Sequence, residues 1–540
     1  MLPAKAASAT AKIALVRPPV LQLRRSLSAY GAILPIGLAY VAAVLRGAGH
    51  RVQIIDAPGE AIDRVVDVDS PIGSLAMNGL APVEIVERLA PDTRILGITH
   101  MFLHEWPTVR EIAERAKAKI PGLVVVVGGE NATSFWSWMF ADTEAVDYCV
   151  LGEGEATMLE LVHRLQAGLP VAGMAGMASR VEHGPHGTDP AGDHGGQGAG
   201  GLSARHTNLD EIPRPAWDLF PVQAYLSRAD NHGVNRGRSM PMLATRGCPY
   251  RCTFCSSPSM WTTKYVTRSP REVVDEIKDY VALYGISNVN FCDLTAIIRK
   301  EWVVEFCSLL QTEGVNITWQ LPTGTRTEVL DEEVLGLLYA TGCRNITYAP
   351  ESGSERMLNT IKKMVKLPRM LDSLRYAHDA GLVTRVNIII GHPEEEWSDT
   401  RQSLKFLFRA ALKGCDDAAV MIFAPYPGSA DFEKLLAAGQ VVMNEDYYYL
   451  ALARSGLSSK TYNARMTTKG LIFAQYGMLL VFYATAYLSR PWRMFGVFRN
   501  LFSGRETTQL DQLLRTKMKQ VRAARGDRLH AKRDLVDVKH

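Results

Sequence analysis

Short apolar runs alternate with amphipathic, helix-like stretches through the first part of the chain. Helical spacing in Pro35–Leu45 ends at Gly47, and further helical stretches follow. The apolar runs predict strands at Lys12–Arg17, Val52–Asp56, Ile95–Ile98, Val124–Val127 and Tyr148–Leu151. Continuous β-branched runs separated by helices are typical of a parallel sheet covered on both faces. The pattern therefore predicts a doubly wound, Rossmann-like α/β domain, whose ligands bind beyond the carboxyl ends of the strands.

The same alternation returns over residues 240–435. Predicted strands are Met242–Thr245, Asn288–Phe291, Ile317–Gln320, Asn345–Tyr348, Thr384–Ile390 and Ala418–Phe423. The helical runs between them include Arg271–Tyr284, Trp302–Gln311, Asp331–Tyr339 and Asp399–Ala411. These βα units predict a partial (β/α)6 barrel of the TIM type, with its chemistry on loops at the carboxyl ends of the strands.

Two regions interrupt or follow this alternation. Between Glu182 and Gly201 lie eight glycines and three histidines; a flexible insertion is favoured over a metal-binding tract, because glycine-rich chain is costly to order. Pro213–Tyr225 is predicted to be a stiff, aromatic connector. The predicted organisation is a first domain at 1–170, an insertion and connector at 171–235, a barrel at 236–440 and a helical region at 441–540.

The helical region contains one long apolar run. Leu471–Leu488 carries no charge over 18 residues, which at about 1.5 Å per residue falls just short of a hydrocarbon core about 30 Å thick. Gln475 and several tyrosines weaken the case for a span. The pattern favours a buried or interface-lying helix, with a membrane span and a substrate-facing lid as alternatives.

Composition and charge change this picture little. Hydrophobic residues make up 47% of the 540, and the net charge of +4 is too balanced for a general nucleic-acid binder. The residues from Arg505 onward carry ten basic and five acidic side chains, a net charge of +5. This basic tail is expected to be a solvated helix, with contact to an anionic membrane surface as the alternative.

The eight cysteines are too few for a disulfide scaffold. Met1 to Lys12 shows no apolar segment of a secretory signal, so we expect a reducing, cytoplasmic location. In such a compartment clustered thiols indicate metal binding.

The strongest signal is the segment Arg246–Cys255, in which Cys248, Cys252 and Cys255 follow a predicted strand with C-x3-C-x2-C spacing. A structural zinc site needs four ligands, and no histidine occurs between His232 and His378. Three thiolates without a local fourth ligand favour a [4Fe–4S] cluster with one open iron. Zinc, a disulfide and chance spacing remain alternatives on spacing alone.

This loop resembles the radical S-adenosylmethionine (SAM) superfamily, and further segments in the same order strengthen the resemblance. They are Tyr250 and Phe254 in the loop, Asn290–Asp293, Pro350–Glu355, Gly391–Glu396 and Pro425–Ser429. The resemblance implies that the three cysteines hold the cluster and that Phe254 lies near the adenine of SAM. It further implies that Glu351 and Ser352 contact SAM, with Asp293 and Gly391 at the ends of neighbouring strands. A buried, paired carboxylate is the alternative role for Glu351.

The first domain resembles the cobalamin-binding domain that precedes the barrel in one branch of that superfamily. The matching stretches are Arg17–Pro19, Pro35–His50, Val127–Thr133 and Asp147–Glu155. Gly128 and Gly129 at a strand end would let a bulky corrin approach the backbone. The remaining candidate contacts to cobalamin are Arg17, Thr99, Met101, Asn131, Thr133, Gly152, Glu153, Gly154 and Glu155. Plain turn geometry is the alternative explanation for the glycines.

One departure concerns the cobalt ligand. Some cobalamin proteins carry Asp-x-His-x-x-Gly, and the nearest string here, Asp230-Asn-His232, lacks the glycine and lies outside the first domain. The branch that this chain resembles also lacks that histidine. Thr99, His100 and Met101 are therefore the candidates to face the cobalt, and a domain that has lost cobalamin is the alternative.

The resemblance implies reductive cleavage of SAM and methylation of an unactivated carbon, with cobalamin as methyl carrier. An alternative enzyme is an oxidative cyclase of the anaerobic magnesium-protoporphyrin monomethyl ester type. Methylthiolation of transfer RNA fits poorly, because only Cys149 lies in the first domain. A non-catalytic cobalamin or SAM sensor is an alternative of another class, against which the intact cysteine triplet argues.

The expected partners are a small, hydrophobic substrate and an external one-electron reductant of the flavodoxin or ferredoxin type. No nucleic-acid partner is expected, and peripheral membrane contact through the helical C-terminal region is kept as an alternative. The apolar run and the aromatic connector are the basis for a hydrophobic substrate such as a tetrapyrrole or a polyprenyl-type lipid.

Overall fold

The structure is a computed structural model that describes residues 10–23, 32–180, 201–228, 233–450, 452, 459–503, 506–515 and 518. Two six-stranded sheets form the framework, one in each half of the chain. This confirms the predicted α/β fold, with a Rossmann-like domain ahead of a partial barrel and a helical region at the end. Most of the glycine- and histidine-rich insertion and of the basic tail lies outside the described residues.

The first sheet has the strand order β3-β1-β6-β7-β8-β9. Its strands are β1 (Lys12–Arg17), β3 (Arg51–Asp56), β6 (Ile95–Thr99), β7 (Val124–Gly128), β8 (Tyr148–Val150) and β9 (Met177–Ser179). All neighbours are parallel except β9, which runs antiparallel to β8. The sheet therefore extends past residue 170, into the range that the sequence pattern assigned to the insertion, because β9 closes its edge.

Helices cover both faces of this sheet. They are α1 (Ile36–Gly47), α2 (Ala57–Glu60), α3 (Pro82–Glu87), α4 (Trp106–Lys119), α5 (Glu130–Asp142) and α6 (Gly154–Ala167), with a 3-10 turn at Leu103–Glu105. A small antiparallel sheet that the pattern did not predict joins β2 (Val20–Leu23), β5 (Leu75–Asn78) and β4 (Val65–Val68).

The connector docks the two halves together. It contains 3-10 turns at Leu209–Glu211 and Trp217–Leu219 and the helix α7 (Val222–Arg228). The indole of Trp217 donates a 2.7 Å hydrogen bond to Tyr280 of the barrel, and Tyr225 donates one of 2.7 Å to Asp56 of the first domain. The predicted stiff connector is thus a segment that links the two domains through buried side chains.

The second sheet runs in sequence order, β10-β13-β14-β15-β16-β17, with all neighbours parallel. Its strands are β10 (Ser239–Met242), β13 (Asn288–Phe291), β14 (Thr318–Thr325), β15 (Cys343–Glu351), β16 (Val383–Ile390) and β17 (Asp417–Ile422). The outer helices are α9 (Pro270–Tyr284), α10 (Lys300–Thr312), α11 (Glu332–Ala340), α12 (Glu355–Thr360), α13 (Leu367–Asp379), α14 (Trp397–Leu412) and α15 (Ala430–Ala437). Sequential parallel order is the topology of a partial barrel.

The predicted strand Met242–Thr245 is wrong in its continuity. The chain leaves the barrel sheet after Met242 and forms a separate antiparallel pair, β11 (Thr245–Arg246) with β12 (Val266–Thr267). The cause is Asp293, whose carboxylate accepts the N–H groups of Ala244 and Thr245. The cysteine loop and the short helix α8 (Ser257–Trp261) lie between these two strands.

Three further helices follow the barrel: α16 (Glu445–Leu450), α17 (Thr468–Ser489) and α18 (Trp492–Ser503). One face of α17 packs on the barrel, through the buried residues Leu471, Gln475, Met478, Phe482 and Ala486. By length and composition α17 is apolar enough to cross a membrane, with 28% of its apolar window buried. Helix α17 is therefore partly buried.

Candidate active site

The cysteine loop is pinched at its start. Gly247 has φ +87°, and a Cβ there would lie 2.2 Å from the carbonyl oxygen of Lys264, so only glycine fits. Cys248, Cys252 and Cys255 follow, all partly exposed and none in a disulfide. The N–H of Cys255 donates to the carbonyl of Cys252 at 3.2 Å. The loop thus presents three free thiols on one short turn.

The arrangement of these thiols argues against a single metal ion. Among the described residues no group of three metal-binding side chains is placed to hold one ion. An iron–sulfur cluster makes a different demand, since each cysteine binds a different iron of the cube. Burial raises the pKa of all three thiols, so binding a cluster would release their protons. The residues present fit a cluster better than they fit zinc.

Glu351 lies at the carboxyl end of β15, beside this loop. It has a left-handed backbone, with φ +68°, and its Oε1 lies 3.1 Å from Nζ of Lys363. The predicted alternative for Glu351, a buried and paired carboxylate, therefore describes the structure as it stands. Contact between Glu351 and SAM stays a prediction.

Asp293 organises the start of the loop. Its Oδ1 accepts hydrogen bonds from the N–H of Ala244 at 3.0 Å and from the hydroxyl of Thr245 at 2.6 Å. Its Oδ2 is buried without a hydrogen-bond partner in the described part of the chain. Burial raises the pKa of Asp293 to about 7. Contact between Asp293 and SAM stays a prediction.

Phe254 lies in an aromatic cluster at the junction of the two domains. Its ring meets the buried ring of His392 edge-on at 5.7 Å, and His392 contacts Phe423 at 5.1 Å. Burial lowers the pKa of His392 to about 3, so the ring is neutral. Phe254 also packs against a buried hydrophobic cluster that contains residues of both domains. Its predicted position near adenine remains a prediction.

Ser352 and Gly391 have local partners. The hydroxyl of Ser352 accepts the N–H of Ser354 at 3.2 Å and lies 3.4 Å from that of Ser403. Gly391 has φ +81°, and a Cβ there would lie 2.7 Å from Leu471 of α17. Both residues shape strand ends, and the structure gives no further support to their predicted contacts with SAM.

Thr99, Gly128 and Gly129 meet at the carboxyl ends of β6 and β7. Thr99 pairs with Gly128 in the sheet. Gly129 has φ +122°, and a Cβ there would lie 2.7 Å from the carbonyl oxygen of His100. Met101, with 42% of its surface exposed, lies beside Gly129. The predicted cobalamin contacts of Thr99, Met101, Gly128 and Gly129 therefore lie together at the carboxyl ends of these strands, and they stay predictions.

His100 does not belong to that face. Its ring is fully buried between Trp106 and Phe135, and Nε2 lies 3.2 Å from the amide of Asn131. The prediction that His100 is a candidate to face the cobalt is wrong, because the chain turns its side chain into the core. Thr99 and Met101 remain candidates.

Asn131 and Thr133 were expected to offer hydrogen bonds to cobalamin, but both are buried and engaged with the protein. The hydroxyl of Thr133 donates to the carbonyl of Gly129 at 3.1 Å and accepts the N–H of Gly152 at 3.1 Å. The amide of Asn131 is held by His100. These side chains fix the geometry of the loop and are turned into the protein, not toward the predicted cobalamin face.

The segment Gly152–Glu155 joins the domains. Arg246 donates to Glu153 at 3.0 Å and to Glu155 at 2.6 Å, and all three side chains are almost fully buried. Arg205 adds an ion pair to Glu153 at 3.4 Å. Gly152 has φ +93° and Gly154 begins α6. The two carboxylates therefore hold the strand that leads into Cys248, a role that the sequence pattern did not indicate.

Arg17 lies in a second buried network. It donates to the hydroxyl of Tyr225 at 2.8 Å and lies 3.7 Å from Asp56. Its predicted contact with cobalamin stays untested, and the structure gives it a role in holding the connector.

Glu130 is a site residue that the sequence analysis missed. It begins α5 directly after Gly129, and the hydroxyl of Ser256, next to Cys255, donates to it at 3.3 Å. Burial raises the pKa of Glu130. The hydroxyls of Ser134 and Ser259 lie 2.7 Å apart across the same junction. In the sequence, the indication of this role is the position of a carboxylate directly after the glycine pair. The role itself is evident from the structure, in which α5 contacts the segment that follows the cysteines.

Comparisons with known proteins agree with both halves of this site. A family model described as the Radical SAM superfamily matches residues 242–407, and one described as the B12 binding domain matches residues 26–162. Between them the two models cover most of the barrel and most of the first domain.

Two curated relatives illustrate the spread of activities. An uncharacterized methyltransferase of Pyrococcus horikoshii is 28% identical over 79% of this chain and 83% of its own length. The anaerobic magnesium-protoporphyrin IX monomethyl ester cyclase of Rubrivivax gelatinosus is 26% identical over 77% of this chain and 69% of its own.

A solved structure shares the fold. The radical SAM methyltransferase TsrM of Kitasatospora setae, described with cobalamin and a [4Fe–4S] cluster bound, has a TM-score of 0.58 and 18% identity. The match covers 80% of this chain and 78% of TsrM. At this identity the likeness establishes the fold alone.

Proposed function

This chain belongs to the radical SAM superfamily and carries a B12-binding domain ahead of its barrel, and from that premise we propose that it is a cobalamin-dependent C-methyltransferase. Its substrate is a small, hydrophobic molecule with an unactivated carbon. A flavodoxin- or ferredoxin-type protein is the proposed electron donor.

The chain's residues divide into three groups by the cofactor they would hold. Cys248, Cys252 and Cys255 would bind the cluster; Phe254, Asp293, Glu351, Ser352 and Gly391 lie around the proposed SAM site. Thr99, Met101, Gly128 and Gly129 form the proposed cobalamin site at the carboxyl ends of β6 and β7. When bound, these cofactors supply electron transfer, radical generation and a methyl group. The protein places them and excludes water from the site.

One observation carries the proposal: the carboxyl ends of β6 and β7 in the first domain lie beside the cysteine loop of the barrel. Glu130, directly after Gly129, bonds to Ser256 beside Cys255. Arg246, just before Cys248, is held by Glu153 and Glu155 of the first domain. These contacts support neighbouring positions for the two proposed cofactor sites. Transfer of a methyl group between cofactors and substrate requires such proximity.

The experiment is anaerobic reconstitution of the full chain with iron and sulfide, followed by SAM and dithionite. We expect about four irons per chain and release of 5′-deoxyadenosine. Alanine at Cys248, Cys252 or Cys255 should abolish both. Cys415→Ala is the matched control, because that buried thiol precedes β17 at the opposite end of the barrel. A chain that binds no cluster, or binds it equally well without the three thiols, would contradict the proposal.

An oxidative cyclase is the second candidate, and the cyclase relative over 77% of this chain favours it. SAM with an isotopically labelled methyl group distinguishes the two, since only a methyltransferase moves the label into product. A sensor would bind cofactors and produce no 5′-deoxyadenosine.

We propose that the C-terminal helices contact an anionic membrane surface. The outward face of α17 is apolar, and its exposed residues are Phe473, Tyr476, Leu480, Ala484 and Leu488. Helix α18 exposes Trp492, Phe495, Phe498 and Phe502. No acidic residue occurs from Thr468 to Ser503, whereas Lys469 and Arg499 are exposed. Exposed aromatics with basic side chains are typical of helices that lie in a membrane interface.

Sedimentation with vesicles tests this contact. The full chain should bind vesicles containing an anionic phospholipid more strongly than zwitterionic ones, and the double variant Phe495→Ser/Phe498→Ser should lose most of that binding. Leu283→Ser, which removes a side chain that is 70% exposed on α9, is the control. Equal binding by the double variant would contradict the proposal. The cytoplasmic location of the protein stays a prediction.

A further inference from the structure

A strained turn follows α12 and packs on the cysteine loop. The N–H of Thr253 donates to the carbonyl of Ile361 at 3.1 Å, and Sγ of Cys252 lies 3.8 Å from the carbonyl oxygen of Lys362. Lys362 and Met364 have left-handed backbones, with φ +54° and +41°. Such backbones are unfavourable for residues other than glycine and persist where surrounding contacts hold them. The turn thereby fixes Lys363, the residue between them.

The side chain of Lys363 points into the site. It is 13% exposed, and its Nζ lies 3.1 Å from Oε1 of Glu351. Glu351 is buried as well, so the two side chains form a buried ion pair that holds Lys363 in its charged form. Lys363 is therefore a buried, charged ammonium beside one thiol of the triplet.

A second cation supports the turn. The guanidinium of Arg326 stacks on Tyr250 of the cysteine loop, 3.4 Å from the ring centre, and donates to the carbonyls of Lys363 and Met364. Arg326 has its own carboxylate at 2.9 Å, the partly exposed Glu328. Lys363 differs from Arg326 in that its carboxylate partner, Glu351, is a residue of the predicted SAM site.

Resting on the proposed function, we infer that Lys363 is a positioning residue whose ammonium holds Glu351 and raises the reduction potential of the cluster on Cys248, Cys252 and Cys255. Reduction adds negative charge at the thiolates, and a cation nearby in a low-dielectric site stabilises that charge. Its removal would also leave the carboxylate of Glu351 unpaired beside the cluster. Both effects make reduction harder.

The test is a redox titration of the anaerobically reconstituted full chain, followed by electron paramagnetic resonance. Lys363→Met should shift the midpoint potential to more negative values by at least about 59 mV, a tenfold change in a one-electron equilibrium. Lys363→Arg should keep the wild-type potential, because it keeps the charge. Lys362→Met is the matched control, since it removes an exposed positive charge from the same turn.

Iron and sulfide content separates the possible failures. An unshifted potential in Lys363→Met at wild-type loading would overturn the inference and leave the proposed function standing. If that variant does not load, Lys363→Gln carries the same test, because it removes the charge and keeps a hydrogen-bond donor near Glu351. A wild-type chain that binds no cluster would overturn the proposed function, and the inference with it.

Discussion

At the scale of single residues, burial controls the charge of several carboxyl groups around the site. Glu395 in the turn after β16 is 1% exposed. Its oxygens accept the N–H groups of Gly391 and His392 and the hydroxyl of Thr400. These bonds lower the pKa of Glu395, but burial outweighs them and raises it to about 7. At acidic pH the side chain of Glu395 is therefore uncharged, and its hydrogen bonds hold the turn after β16.

A pH dependence of stability follows from Glu395. The native state binds its proton more tightly than the unfolded state does, so this contribution is complete below about pH 4.5 and is lost as pH rises to about 7. In Glu395→Gln the free energy of unfolding should fall less between these values than in the wild type. Urea titrations across the range measure the difference. Parallel pH profiles for the two proteins would contradict the assignment.

At the scale of elements, close contacts at strand ends decide which residues fit. Gly129 joins β7 to α5 with φ +122°, and a Cβ there would lie 2.7 Å from the carbonyl oxygen of His100. That proximity lets α5 reach the cysteine loop. Packing of the chain therefore accounts for Gly129, and the approach of a corrin to the glycine pair stays a prediction.

We expect Gly129→Ala to destabilise the protein by at least about 1–3 kcal/mol, because a left-handed backbone and a steric overlap coincide there. Gly47→Ala is the control: the last residue of α1 has open space around its Cβ and no positive φ, so the change should be neutral or slightly stabilising. Chemical denaturation gives both values. Equal stability of the two variants would show that the loop relaxes freely.

At the scale of the whole molecule, buried charges join the two domains. Arg246 of the barrel binds Glu153 and Glu155 of the first domain, and Tyr225 of the connector bonds to Asp56. Because the partners lie in different domains, movement of one domain would break the ion pairs that hold the strand before Cys248. Domain docking and the geometry of the cysteine loop are therefore coupled.

Arg246→Met should cost about 3–5 kcal/mol of unfolding free energy, since it leaves the buried carboxylate of Glu155 without its ion-pair partner and leaves Glu153 with Arg205 alone. The triple variant with Glu153→Gln and Glu155→Gln should regain much of that loss. Arg164→Met, which breaks an exposed pair with Glu160, should cost less than about 1 kcal/mol. Urea unfolding measures all three. A triple variant no more stable than Arg246→Met would contradict the explanation by unpaired charge.

The sequence by itself determined the features that are local. The alternation of apolar runs and helices predicted both α/β domains, and the spacing of Cys248, Cys252 and Cys255 predicted the cluster loop, because ligands on one turn are set by their separation along the chain. The break after Met242 was not predicted, because it depends on Asp293, 49 residues away from Ala244.

Only the tertiary structure decided how the domains use their polar residues. Glu153 meets Arg246 across 93 positions, and Glu130 meets Ser256 across 126. Asn131 and Thr133, which by type suit a ligand, turn inward, whereas Lys363 enters the site. Whether a polar side chain faces a ligand, the core or another domain depends on which surfaces pack together, and a pattern of residue types along the chain does not contain that information.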